Sequence, residues 1–178
     1  MVKLRFLAGI ACHIAEAIGR ANEPHYQAEL GELIASAELA RGLVTGCMHE
    51  IVEGRQAEPL RALFASLWVF MPKAQMRAIE IIRGISGSGL VMTPTEKDFA
   101  SPEIAHHIER YLQGKAVPAR RRVQLFKLAW DLIGEQFGGR QLHYEWFYSG
   151  EPLFAKSRFY HSPDVATYKA MVERLLSS

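Results

Sequence analysis

Apolar positions in this chain recur near every 3.6 residues almost from end to end, the spacing that gives a helix one greasy face. Leu4, Leu7, Ala11, Ile14 and Ile18 mark a first helix that ends near Gly19. Pro24 opens a second, carried by Leu30, Leu33, Ile34, Ala37, Leu43 and Val44 to about Val52. The polar segment Glu53 to Pro59 reads as a linker. A third helical region covers Leu60 to Ile85, and Pro72 is expected to kink or split it. Gly84 to Ala100 reads as a loop. Ser101 as N-cap, Pro102 at the first helical position and Glu103 then predict another helix start. One long helix is expected over Pro118–Tyr148. Beyond Gly150 the pattern is irregular until Ser162-Pro163-Asp164, which predicts a last helix to Leu176. No run alternates at period two for more than a few residues, so the expected fold is an all-α, up-down helical bundle.

The long helix carries the most unusual feature, Gly138 and Gly139 in its middle. An interior glycine costs roughly 1 kcal/mol relative to alanine. A pair of them implies a neighbour, another backbone or a ligand, that comes closer than a Cβ permits. On a wheel of about 100° per residue, Phe126, Trp130, Ile133, Phe137, Tyr144 and Tyr148 form one stripe, expected to face the core. Leu125, Leu128, Leu132, Gln136, Gly139 and His143 form a second, flanked by Arg140. It begins as leucine packing and turns small and polar halfway along. A slot opening from a packed interface and a tight helix–helix crossing both fit that change.

Composition adds mostly exclusions. The chain has 178 residues and is 49% hydrophobic, enough for one well-filled domain. Its 21 basic and 19 acidic residues leave a net charge of +2, which gives no electrostatic case for nucleic acid or an anionic membrane. Arg120, Arg121 and Arg122 open a helix, where the macrodipole disfavours cations, so they read as a solvated or interfacial turn. Cys12 and Cys47 lie on separate helical segments and read as small buried hydrophobes, consistent with a reducing cytoplasm. Adjacent residues on a helix point about 100° apart, which argues against Cys12 and His13 sharing a metal ion. The apolar N-terminal stretch is broken by Arg5, His13, Glu16 and Arg20, so neither signal peptide nor membrane span is expected. His25, His49, His106, His107 and His161 have no spaced partner and are assigned no role; His143 is set apart by sharing the slot stripe.

The segment GISGSGLVMTPTEKDFA presents Ser86, Gly87, Ser88 and Gly89, whose backbone N–H groups and hydroxyls suit a phosphate or ribose. It lacks the strand and third glycine of a dinucleotide fingerprint and the Gly-Lys-Ser/Thr of a P-loop. As a motif on its own it is weak, and a flexible interhelical turn is the favoured reading.

Taken in order, FLAGIACHIAEAIG, HYQAELGELIASAELARGL, ISGSGLVMTPTEKDFASPEI, RYLQGK and LFKLAWDLIGEQFGGRQLHYEWFYSGEP resemble the C-terminal domain of the 4-hydroxyphenylacetate 3-hydroxylase family. That family includes pyoverdine-chromophore hydroxylases and, more distantly, 4-hydroxybutyryl-CoA dehydratase. The resemblance covers residues 4 to 160 and implies a bundle similar to the C-terminal four-helix domain of acyl-CoA dehydrogenases. It divides the chain into a bundle over 1–150 and a tail with a short helix over 151–178. The intact enzymes are longer, so the chain would supply the bundle alone. The resemblance implies the oxygenase component of a two-component system, in which a separate reductase supplies reduced FAD and a phenol is hydroxylated ortho to its hydroxyl group. Groups that position the phenol belong to the other domains, so no catalytic residue and no metal ligand is assigned here. Flavin contacts of the family map to Gln136, Phe137, Gly138, Gly139 and Arg140, with His143 on the same face. By analogy with acyl-CoA dehydrogenases, Ser86–Gly89 approaches the adenosine or pyrophosphate end of FAD across a subunit boundary. Related enzymes form tetramers through this bundle, which would account for helices apolar on two faces. Neither cysteine matches an iron–sulfur ligand of the dehydratase branch, and the ending HYEWFYSGEP resembles the hydroxylases.

Overall fold

Pro24 stands at the first turn of its helix, where a missing N–H and a fixed φ cost nothing, and similar local chemistry sets most element boundaries. The computed structural model describes residues 1–54, 57–148, 150–162 and 164–177. Among the described residues the chain forms nine α-helices and no strand: α1 (Val2–Ala17), α2 (Pro24–Val52), α3 (Ala57–Ser86), α4 (Glu96–Ala100), α5 (Ala105–Tyr111), α6 (Ala119–Ile133), α7 (Gln136–Phe147), α8 (Pro152–Tyr160) and α9 (Asp164–Leu176). A 3-10 turn, Gly87–Leu90, follows α3.

Helices α1, α2, α3 and α6 make an up-down bundle, and named contacts fix its directions. Arg77, late in α3, meets Glu29 and Glu32, early in α2. The N–H of Lys115, just before α6, donates to the carbonyl of Ala17 at the end of α1. Gly89, just past the end of α3, lies against Arg122 and Phe126 at the start and middle of α6, while the Arg83 side chain of α3 crosses to the carbonyl of Ile133. The all-α bundle that the hydrophobic periodicity predicts is therefore the fold observed. Its centre is filled by Leu4, Leu7 and Ile14 of α1, Leu33 of α2, Ile82 of α3, and Phe126 and Ile133 of α6. Each such side chain contributes roughly 1.5–3 kcal/mol by leaving water. Buried Ala11, Ala15, Ala40, Ala78 and Ala129 let the backbones approach between them.

Five sequence expectations are corrected. Pro72 does not split α3, which runs unbroken from Ala57 to Ser86. The segment read as a loop from Gly84 holds the end of α3, the 3-10 turn and α4, whose N-cap Thr95 forms a capping box with Asp98. Ser101 closes α4 and α5 begins only at Ala105, so Pro102 lies in a turn before the helix. The stretch after Gly150 is the helix α8, started by Glu151 and Pro152. Pro163, part of the predicted start of α9, and residues 55 and 56 of the predicted linker lie outside the described residues.

The fifth correction is the largest. Pro118–Tyr148 is two helices, because Gly134 ends α6 and Glu135 starts α7. Glu135 adopts an extended conformation, and its carboxylate accepts the N–H of Phe137 at 2.7 Å, an N-cap in the helix interior the pattern implied. The single wheel drawn through 118–148 therefore loses its phase at residue 134. Phe126 and Ile133 are buried as expected, but Phe137, Tyr144 and Tyr148 are 74%, 58% and 71% exposed rather than core-facing.

Candidate functional site

The break at Gly134 and Glu135 brings the first turn of α7 back onto the last turn of α6. A Cβ at Gly138 would sit 2.6 Å from the carbonyl oxygen of Asp131 and 3.0 Å from that of Leu132. Gly138 therefore answers to a backbone crossing. Gly139 does not: among the described residues, a Cβ there would meet nothing within 4 Å. The two glycines thus have different reasons to be small.

Gly139 opens onto a groove of about 360 Å³ between α3 and α7. Met76, Ile79 and Arg83 line one side, and Leu142, His143, Trp146 and Phe147 the other. The His143 and Phe147 rings lie 5.0 Å apart at a tilt of 53°, one helical turn from each other. Arg83 donates one guanidinium nitrogen to the Ile133 carbonyl at 3.1 Å, which satisfies an end carbonyl of α6 and anchors the cation at the groove. The lining is apolar and aromatic with one arginine and one histidine, which fits a planar ring system with polar edges. The α3 residues were missed as site residues, although 76, 79 and 83 follow the i, i+3, i+7 spacing of one helix face.

Of the residues expected to contact a cofactor, Gly139 and His143 share this groove. Gln136, Phe137 and Arg140 are exposed at the start of α7 and do not line it, and Gly138 is buried beneath. Ser86, Gly87, Ser88 and Gly89 are held elsewhere. A Cβ at Gly89 would press on the Phe126 ring and approach Arg122, so that face of the turn is filled by α6. Gly87 takes the left-handed conformation at φ 53°. Ser86 is 8% exposed, and among the described residues its hydroxyl finds no hydrogen-bond partner.

On the far side of α7 a second cavity, about 400 Å³, lies against α1 and α3. Phe64, Trp68, Trp146 and Tyr148 are among its walls, and Lys3, Gln75 and Glu145 supply its polar part. Glu145 binds Lys3 at 2.5 Å and accepts hydrogen bonds from Gln75 and, at 3.0 Å, from Gln141. Burial pushes its carboxyl up, but Lys3, Gln75 and Gln141 outweigh burial and hold it below the usual carboxylate range.

Elsewhere, Arg120 pairs with Glu96 and lies over Phe99 of α4, while Arg122 lies over Phe126 of its own helix and donates to the Leu112 carbonyl at 3.4 Å. Cys47 is buried and Cys12 half-buried; burial, with Glu16 nearby, pushes the Cys12 thiol up. Among the described residues no group of three or more His, Cys, Asp or Glu is placed to hold a metal ion, and no helix is long and apolar enough to cross a membrane.

Fold and groove together define a strand-free bundle domain, within the described residues, whose fourth helix is extended by a groove-bearing α7. The chain belongs to the 4-hydroxyphenylacetate 3-hydroxylase C-terminal family, whose sequence model matches residues 1–177. It is 35% identical to a probable 4-hydroxyphenylacetate 3-monooxygenase of Bacillus subtilis, over 91% of this chain and 34% of that protein. Among solved structures, it resembles the oxygenase component of 4-hydroxyphenylacetate 3-monooxygenase complexed with FAD and 4-hydroxyphenylacetate. There the TM-score is 0.85 at 32% identity, over 98% of this chain and 37% of that one. A 4-hydroxybutyryl-CoA dehydratase from N. maritimus shares the fold, with a TM-score of 0.80 at 19% identity, over 98% of this chain and 35% of that one. The chain thus spans about a third of the length of the proteins it matches.

Proposed function

We propose that this chain is the C-terminal, flavin-contacting and assembly domain of the oxygenase component of a two-component aromatic hydroxylase. In this reading the intact enzyme uses reduced FAD from a separate reductase and works in the cytoplasm. It hydroxylates a phenol of the 4-hydroxyphenylacetate type ortho to its hydroxyl group. The observation that carries the reading is Gly139, whose missing Cβ leaves open space beside an aromatic groove in a chain whose solved relative holds FAD.

Reduced FAD, when bound, supplies the oxygen chemistry; the residues of this chain bind and orient. Gly139 leaves room for a ring edge beside the backbone of α7. His143 and Arg83 offer donors to the polar edges of that ring, and Trp146 and Phe147 present apolar surface and exclude water. Gln136, Phe137 and Arg140, exposed on the first turns of α7, are placed for the outer parts of the same cofactor or for a neighbouring domain. Ser86–Gly89 serves the adenosine or pyrophosphate end across a subunit boundary, a reading supported by Gly87 and Ser88, which are exposed on the turn.

Self-association as a homotetramer is supported by the apolar surface left on the outer helices. Phe6 of α1, Leu39 and Met48 of α2, and Leu128 of α6 are all exposed. The rival view, a non-catalytic assembly module, is favoured by Gly138, whose smallness serves the α6–α7 crossing alone. A third reading, a domain of a 4-hydroxybutyryl-CoA dehydratase-type lyase, has only a shared fold behind it.

Native mass spectrometry of the chain, with and without reduced FAD under anaerobic conditions, tests the proposal. A tetramer that gains flavin is the expected result. A chain that gains none, in its parent and Gly139→Leu forms alike, would leave an assembly platform and overturn the flavin role.

A further inference from the structure

Helix α7 carries Gly139 and His143, yet little apolar packing holds it. Among its described residues Gly138 alone is buried, and Leu142 packs against the core only in part. Beside the half-buried Trp146, polar contacts tie its distal half to the bundle. Lys3 of α1 and Gln75 of α3 both bind one oxygen of Glu145, and Gln141, one turn earlier on α7, binds the other. The Glu145 and Lys3 side chains are 26% and 30% exposed, so their attraction is less screened than that of a pair on the open surface.

The position of Glu145 on its helix gives this contact its consequence. At about 100° per residue, Glu145 lies roughly 160° around α7 from His143 and 120° from Gly139. It therefore holds the back of the helix while the groove occupies the front. Trp146, next in sequence, lines both the groove and the cavity behind it.

We infer that Glu145 is a positioning residue, the latch that seats α7 against α1 and α3 and so sets Gly139 and His143 against Met76, Ile79 and Arg83. The flavin reading enters only in what the groove holds; the latch itself concerns where α7 sits.

Amide hydrogen exchange over residues 136–147, read beside FAD affinity in the same chain, tests it. Glu145→Ala removes the carboxylate, and Lys3→Met approaches the same contact from the partner side. Each variant is expected to speed exchange across α7 roughly tenfold while α2 and α3 stay unchanged, and to weaken FAD binding by a similar factor. Glu145→Gln, which keeps one acceptor oxygen, restores part of the protection. Unchanged α7 exchange in both the Ala and Met variants would overturn the latch. Faster exchange with unaltered FAD affinity, in a protein where Gly139→Leu does weaken FAD, would overturn its positioning role. Should Gly139→Leu itself leave FAD binding intact, the flavin reading falls, and the exchange result still decides the latch.

Discussion

Replacing Gly138 and Gly139 separately by alanine should have opposite effects, although the two are neighbours on one helix. A Cβ at Gly138 would lie 2.6 Å from the Asp131 carbonyl oxygen and 3.0 Å from that of Leu132. Both obstacles are backbone, so no rotamer change relieves them. Forced packing of this kind costs about 1–3 kcal/mol. The better helix propensity of alanine returns at most about 1 kcal/mol. Gly138→Ala should therefore destabilise the chain by about 1–2 kcal/mol, which for a domain of this size lowers Tm by about 3–6 °C. At Gly139 a Cβ meets nothing within 4 Å among the described residues, so only the propensity gain remains. Gly139→Ala should raise Tm by up to about 3 °C. Thermal unfolding followed by circular dichroism, at matched protein concentration, reads both. Shifts of the same sign and size would refute the assignment of Gly138 to a backbone crossing and Gly139 to open space.

Three other outcomes follow from the same geometry. The Glu145 carboxyl is held below its unfolded value of roughly 4.3. Its contribution to stability is thus complete above that pH and is lost as pH falls through the lower folded value. Acid titration of α7 exchange should show this loss, and Glu145→Gln should abolish that component; an unchanged profile in the variant would contradict it. Glu135→Ala removes the cap on Phe137 N–H and should cost about 1 kcal/mol in urea unfolding, with no effect if Glu135 does not cap α7. Phe126→Ala empties the centre of α6, where the ring also supports Gly89 and Arg122, and should cost about 3–5 kcal/mol. A loss below about 1 kcal/mol, read from denaturant midpoints, would place that ring outside the core.

Apolar spacing made the bundle legible because its helices are long and bury one face continuously. The second helix runs from Pro24 to Val52 as its pattern and its proline predict. What the pattern hid were boundaries set by one or two residues. Gly134 and Glu135 interrupt the 3.6-residue rhythm without an obvious polar gap, since Ile133 and Phe137 still fall in phase on paper. The signal was an acidic residue directly after a glycine, a helix stop followed by a helix start. Ser101 and Pro102 looked like a cap, but the capping box that forms is Thr95 with Asp98, six residues earlier than Ser101. In the groove, Gly139 and His143 were legible as one stripe because both belong to α7, beyond the break. Arg83, Met76 and Ile79 were not, because a helix wheel carries no information about which neighbour faces which stripe.

The most direct measurement is an anaerobic titration of the chain and its Gly139→Leu variant with reduced FAD, with circular dichroism as a control for helicity. The parent is expected to bind, and the variant to keep its helical signal while its affinity is abolished. Equal binding by both proteins would refute the flavin role, because the open space beside Gly139 would then play no part in holding the flavin.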